Sequence, residues 1–130
     1  MNKLKHRPKP TEAELEILEI LWEHGPATVR QVNDLVNQRR ETGYTTTLKI
    51  IQIMYAKEML SRREEGRTHI YTPLAEEQET RQHLLEKFME TSFRGSAASL
   101  VMQALGNGKT TKDELKQIRQ LLDQLEGGKK

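Results

Sequence analysis

A chain of 130 residues with 35% apolar and 31% charged side chains has room for one domain, or one small domain and an assembly segment, around a modest core. Its net charge of +2 does not point to nucleic acid; the distribution says more, with Lys3, Lys5, Arg7 and Lys9 unopposed at the start, Arg62, Arg63 and Arg67 clustered later, and nine bases against nine acids from residue 76 onward. The absence of cysteine excludes disulfides and thiol-based metal or redox chemistry, no apolar run approaches membrane-spanning length, and the basic start lacks the apolar stretch of a secretory leader.

Residues 1–10 are broken by Pro8 and Pro10 and read as a flexible arm. Thr11 opens the first helix, and with Glu14 it fits a capping box, in which each side chain satisfies a backbone N–H at the helix start. Leu15, Leu18 and Trp22 recur at helical spacing, widened by Ile17 and Leu21, until Gly25-Pro26 stops the helix. Trp22, the only tryptophan, belongs to that apolar stripe. Glu12, Glu14, Glu16 and Glu19 read as a solvated face near the favourable N-terminal end. Thr28 and Gln31 repeat the capping pattern before a second helix that turns Val29, Val32, Leu35 and Val36 inward and leaves Arg30, Asp34 and Gln38 exposed. Arg39 to Gly43 form a polar turn.

The next stretch, Gly43 to Thr72, is the most informative. On a helical wheel of about 100° per residue, Thr47, Ile50, Ile51, Met54 and Tyr55 fall on one side of a helix running through Thr45 to Met59. Thr45, Thr46, Lys49, Gln52 and Ala56 fall on the other, with Ile53 at the margin. That second face is small, mildly basic and rich in hydrogen-bonding groups, as a helix entering a DNA major groove needs to be. Arg62 to Glu64 and Arg67 to Thr72 then read as strands joined around Glu65-Gly66, with Thr68, Ile70 and Thr72 alternating against Arg67, His69 and Tyr71 until Pro73 ends the hairpin. Three short helices followed by a basic hairpin make a winged helix-turn-helix over residues 1–75, in a mainly α chain.

From Glu76 onward only helices are indicated. Leu84, Leu85, Phe88 and Met89 mark a fourth, Gly95 separates it from a fifth carrying Ala97, Leu100, Val101, Ala104 and Leu105, and Gly106-Asn107-Gly108 breaks the chain again. Thr111 with Glu114 caps a last helix with Leu115, Ile118, Leu122 and Leu125 on one face. These stripes have too few partners within residues 76–130 for an isolated core. Either they pack back on the first domain or two copies interleave them. The dimer is favoured because groove-reading helices gain affinity and site length in pairs.

Groups that position DNA differ from groups that specify its sequence. Arg62, Arg63 and Arg67 suit phosphate or minor-groove contact, Arg67 being nearest the hairpin tip. Thr45 and Thr46 suit phosphates and thymine methyls, Lys49 a guanine edge and Gln52 an adenine edge. Tyr44 reads as a helix-entry packing residue or a phosphate contact, packing being preferred, and the arm at residues 1–10 as a solubilising tail or a backbone contact. His6, His24, His69 and His83 have no metal-ligand spacing, and no nucleophile–base pair or phosphate loop stands out, so neither a metal, a cofactor nor an enzyme is expected. A competing reading is a winged-helix protein-interaction module whose basic hairpin docks on an acidic partner, although such modules usually expose larger apolar anchors.

The sequence resembles the penicillinase-repressor family, the BlaI/MecI type with its copper-responsive CopY branch. The resemblance runs from Thr11 to Leu18 (TEAELEIL) through Leu21-Trp22 and Val29 to the C-terminal helices. Its most specific part is Tyr44-Thr45-Thr46-Thr47, then Ile51, Met54, Leu60, Arg62-Arg63, Gly66-Arg67 and Tyr71, with Thr47 standing where such proteins usually have an apolar residue. The resemblance implies a cytoplasmic, bacterial, homodimeric winged-helix repressor on a palindromic operator, with residues 76–130 as the dimerisation region. The copper branch's C-terminal cysteines are missing here, which removes that route of metal sensing. The β-lactam-responsive branch is cut by a sensor protease at an Asn-Phe bond. Aligning Ser99-Leu100-Val101-Met102 with that segment puts Gln103-Ala104 at the scissile pair, a departure that weighs against such cleavage.

Overall fold

Three predicted capping boxes form, and each starts a helix. Thr11 and Glu14 exchange backbone-to-side-chain bonds at 3.0 and 3.1 Å, Thr28 and Gln31 at 2.9 and 3.1 Å, and Thr111 and Glu114 at 3.1 Å each. The computed structural model describes residues 9–127; Lys3, Lys5, His6 and Arg7 of the basic arm lie outside the described residues. The elements are α1 (Glu12–His24), α2 (Val29–Asn37), α3 (Tyr44–Ala56), β1 (Leu60–Glu65), β2 (Thr68–Pro73), α4 (Glu77–Phe93), α5 (Ala97–Leu105) and α6 (Lys112–Gly127). They divide into two compact units, Met1–Leu84 and Leu85–Lys130.

In the first unit, α1, α2 and α3 enclose a core of Ile17, Leu18, Ile20, Leu21, Val29, Val32, Val36, Ile51 and Met54, closed below by Met59, Leu60 and Tyr71. The hairpin pairs antiparallel from Leu60↔Pro73 to Glu65↔Thr68, and a bridge from Ala27 to Tyr71 (3.1 and 2.8 Å) ties the α1–α2 loop to its second strand. Trp22 is half-buried, and its indole N–H donates to the Ala75 carbonyl at 3.1 Å, which pins the segment leaving the hairpin.

Helix α3 stops three residues earlier than its pattern predicts. The N–H of Met59 bonds the Met54 carbonyl at 2.9 Å and that of Glu58 bonds the Tyr55 carbonyl at 3.0 Å, while Glu58 takes a φ of 65°. This is a Schellman closure, with Met54 and Met59 both buried in the core cluster. The hairpin also differs. Its first strand begins at Leu60, and the turn residues are Gly66 and Arg67, so Arg67 sits in the turn and not in a strand. Gly66 has a φ of 64°, the sign that the first central position of a type II′ turn demands and that a side chain would resist.

The second unit is built from α5, α6 and the end of α4. Among the described residues of α4, α5 and α6 none is buried. Phe88 and Phe93 meet edge to face at 5.6 Å between centroids.

Candidate nucleic-acid interface

The polar face of α3 emerges as read from the sequence. Thr47, Ile51 and Met54 turn into the core, whereas Thr45, Thr46, Lys49, Gln52 and Ala56 are exposed. The side chains of Thr45, Thr46, Lys49 and Gln52 make no hydrogen bond or ion pair with another described residue, so their donors and acceptors face solvent. Tyr55 departs from the wheel: it is 38% exposed, since the chain needs it as a floor for the hairpin and not as core. The Arg62 guanidinium sits over its ring at 4.1 Å, and Tyr71 meets it edge-on at 6.4 Å. Tyr44 does not pack inward at the helix entry either; it is 39% exposed with Arg30 over its ring at 4.5 Å.

Two asparagines fix the angle at which α3 leaves α2. Asn33, buried in α2, donates to Thr47 Oγ1 (2.8 Å), Thr42 O (3.1 Å) and Gly43 O (3.3 Å). Asn37 donates to Asn33 O and Thr42 O at 2.8 Å each and accepts from the Thr42 N–H at 3.1 Å. The polar turn is thereby held by side chains, with few rotamers left free.

The acids of α1 are not the uniform solvated face that their spacing suggests. Glu14 is 4% exposed, and Lys57, just beyond α3, reaches its Oε2 at 2.8 Å. Burial pushes the Glu14 carboxyl up, but the Lys57 and Thr11 hydrogen bonds and the Lys57 charge outweigh it and hold the group below its ordinary value. Arg40 bonds Glu16 at 2.6 Å, and Arg39 lies 3.7 and 3.8 Å from Glu16 and Glu19. The cations beside α1 are therefore occupied. On the hairpin, Arg63 pairs with Glu65 at 3.6 Å, whereas Arg67 at the tip is exposed and pairs with no described carboxylate.

Of the residues assigned to dimerisation, Phe88 (51%), Val101 (44%), Leu122 (53%) and Leu125 (57%) are widely exposed. Leu115 is exposed as well, and Leu84, Leu100 and Ile118 are half-buried. Gln103 and Ala104 are exposed on α5. His24 and His69 lie beside Glu23 (3.9 Å) and Glu64 (3.7 Å), and no group of three potential metal ligands occurs among the described residues.

The model of the family described as penicillinase repressor matches residues 10–124. The chain belongs to the penicillinase repressor family. Within it, the chain is 27% identical to the penicillinase repressor of Bacillus licheniformis, over 98% of this chain and 99% of that one. It is 26% identical to the transcriptional regulator BlaI of Mycobacterium tuberculosis, over 90% of this chain and 85% of that one. The solution structure of the DNA-binding domain of the repressor BlaI superposes on 56% of this chain and 89% of its own, with a TM-score of 0.51 and 25% identity. A mostly helical fold with a two-stranded wing is thus shared with that repressor domain. Arg30, over the Tyr44 ring, and Asn33, buried against Thr47, carry no sequence signal, because their partners lie in the next helix and its preceding turn.

Proposed function

We propose that this chain is a sequence-specific DNA-binding repressor of transcription that acts in the bacterial cytoplasm as a homodimer on a palindromic operator. The observation that carries this is the α3 face of Thr45, Thr46, Lys49 and Gln52, exposed beside a wing with Arg67 at its tip, none of the five having a hydrogen-bond or ion-pair partner for its side chain among the described residues. A helix offering hydroxyl, ammonium and amide groups to solvent matches the donor and acceptor pattern of base edges in the major groove. Lys49 and Gln52, one turn beyond the helix start, reach the bases; Thr45, Thr46, Arg62, Arg63 and Arg67 hold the backbone. Likeness to a solved domain described as DNA-binding, in the repressor BlaI, supports the same reading.

The homodimer rests on the apolar stripes of α4 to α6, which a single chain leaves exposed. Residues 1–75 then form the DNA-binding domain and residues 76–130 the dimerisation region. The test is a titration of the purified chain against its own upstream intergenic DNA and a scrambled duplex at two salt concentrations. Tight, selective binding that weakens steeply and log-linearly with salt is expected. Equal, weak, salt-independent binding to both duplexes would remove the repressor reading and favour a protein partner for the wing.

A further inference from the structure

We propose that Arg30, on α2 and outside the recognition helix, is a DNA phosphate contact held in place by Tyr44. It works in one row with Arg62, which Tyr55 holds. The inference rests on the DNA-binding reading and extends it to a residue that no part of that reading uses.

Six arginines lie between the start of α2 and the end of the hairpin, and the acids of the first unit sort them; Arg67, at the wing tip, has no carboxylate or ring partner among the described residues. Arg39, Arg40 and Arg63 each have a carboxylate partner. Arg30 and Arg62 have none among the described residues; each guanidinium sits on a tyrosine ring, at 4.5 and 4.1 Å from the centroid. Both tyrosines belong to α3, one at each end. Eleven residues at about 100° each bring Tyr55 to within about 20° of Tyr44 around the axis, and about 16 Å along it. The two rings therefore form a line down one side of the helix. On one flank of that line lie the core residues Thr47, Ile51 and Met54; on the other lie Thr45, Lys49 and Gln52.

A helix seated in the major groove turns its centre to the bases and its borders to the phosphate walls. Cations on a border meet phosphate oxygens. Arginine suits that position because its planar fork matches phosphate bidentately and its delocalised charge stacks on aromatic faces. Resting on a ring also removes rotamer freedom before DNA arrives, which lowers the ordering cost of the contact. Arg30 could instead simply shield the Tyr44 ring from water. That role moves stability and leaves the salt dependence of binding unchanged, so the two separate.

The test measures the affinity of the full chain and its variants for a mixed-sequence duplex across a range of salt. Arg30→Gln is expected to lower the salt slope by about 0.9, equivalent to roughly an eightfold loss at 0.1 M salt, on every duplex alike. Tyr44→Phe, which keeps the ring, should bind as the parent does. Tyr44→Leu should lose part of the affinity, and Arg30→Gln should then cost less than it does in the parent. A parent chain that binds while Arg30→Gln leaves slope and affinity unchanged overturns the Arg30 assignment alone. Equal losses from Tyr44→Phe and Tyr44→Leu overturn the positioning role of the ring. A parent chain with no salt-sensitive binding to any duplex overturns the DNA reading itself.

Discussion

The Asn33 amide donates to the Thr47 hydroxyl at 2.8 Å in the interior between α2 and α3, with 6% and 1% of the two residues exposed. Thr47 occupies a core position where its relatives were expected to place an apolar side chain, and the buried amide across from it explains the hydroxyl. Asn33 also satisfies the carbonyls of Thr42 and Gly43, so the pair fixes both the core and the turn that aims α3.

The two residues should not be equally costly to replace. Thr47→Val removes one acceptor of an amide that keeps two others, at about 1 kcal/mol. Asn33→Leu strands the Thr47 hydroxyl and strips one of two donors from each of the Thr42 and Gly43 carbonyls, which keep the Asn37 amide and the Thr47 N–H, at about 2–3 kcal/mol. Urea unfolding of both variants checks this, and the opposite order would contradict the arrangement.

Glu14 gives the first unit a pH dependence. Its folded carboxyl lies below the ordinary value of about 4.3, so the stability it contributes is present above that value and lost as pH falls through the folded one. Thermal melts between neutral pH and pH 3 should show a shallower acid loss in Glu14→Gln than in the parent. Lys57→Met should cost about 1–2 kcal/mol at neutral pH, less than a fully buried pair would, because Lys57 is 36% exposed.

Base-reading and backbone-holding groups predict different phenotypes. Lys49→Ala or Gln52→Ala should change which operator variants are preferred, measured by competition among mutated duplexes. Arg67→Ala should weaken binding to all of them about equally and lower the salt slope by about one. Altered selectivity with general affinity intact in Arg67→Ala would contradict the assignment of the wing tip.

Leu122→Asp puts a charge into the stripe of α6 and should yield monomers with much weaker operator binding. Light scattering reads the mass directly. A variant that remains dimeric would place the interface elsewhere.

What the sequence discloses here is what is local. Thr11 with Glu14, Thr28 with Gln31 and Thr111 with Glu114 lie three residues apart, and each pair forms as its spacing predicts. The exposure of Thr45, Lys49 and Gln52 follows from helical period alone. The second role of Glu14 does not, because Lys57 is 43 residues away and only the packing of α1 against the end of α3 joins them. Tyr55 defeats the wheel for a similar reason: an amphipathic ring at a helix border can serve as core or as a platform, and the hairpin decides. The early stop of α3 at Ala56 was hidden because Glu58 adopts a conformation that glycine normally signals.

Trp22 hangs from the Ala75 carbonyl within the first unit, and Tyr44, Tyr55 and Tyr71 lie in that unit as well. No tryptophan or tyrosine follows residue 71. Indole fluorescence and the tryptophan and tyrosine bands of the near-ultraviolet ellipticity thus belong to the winged half alone, the second unit adding only the bands of Phe88 and Phe93, whereas peptide ellipticity belongs to the whole chain. The molecule carries its own spectroscopic partition: a melt followed at both wavelengths times the loss of each half separately, with no label attached.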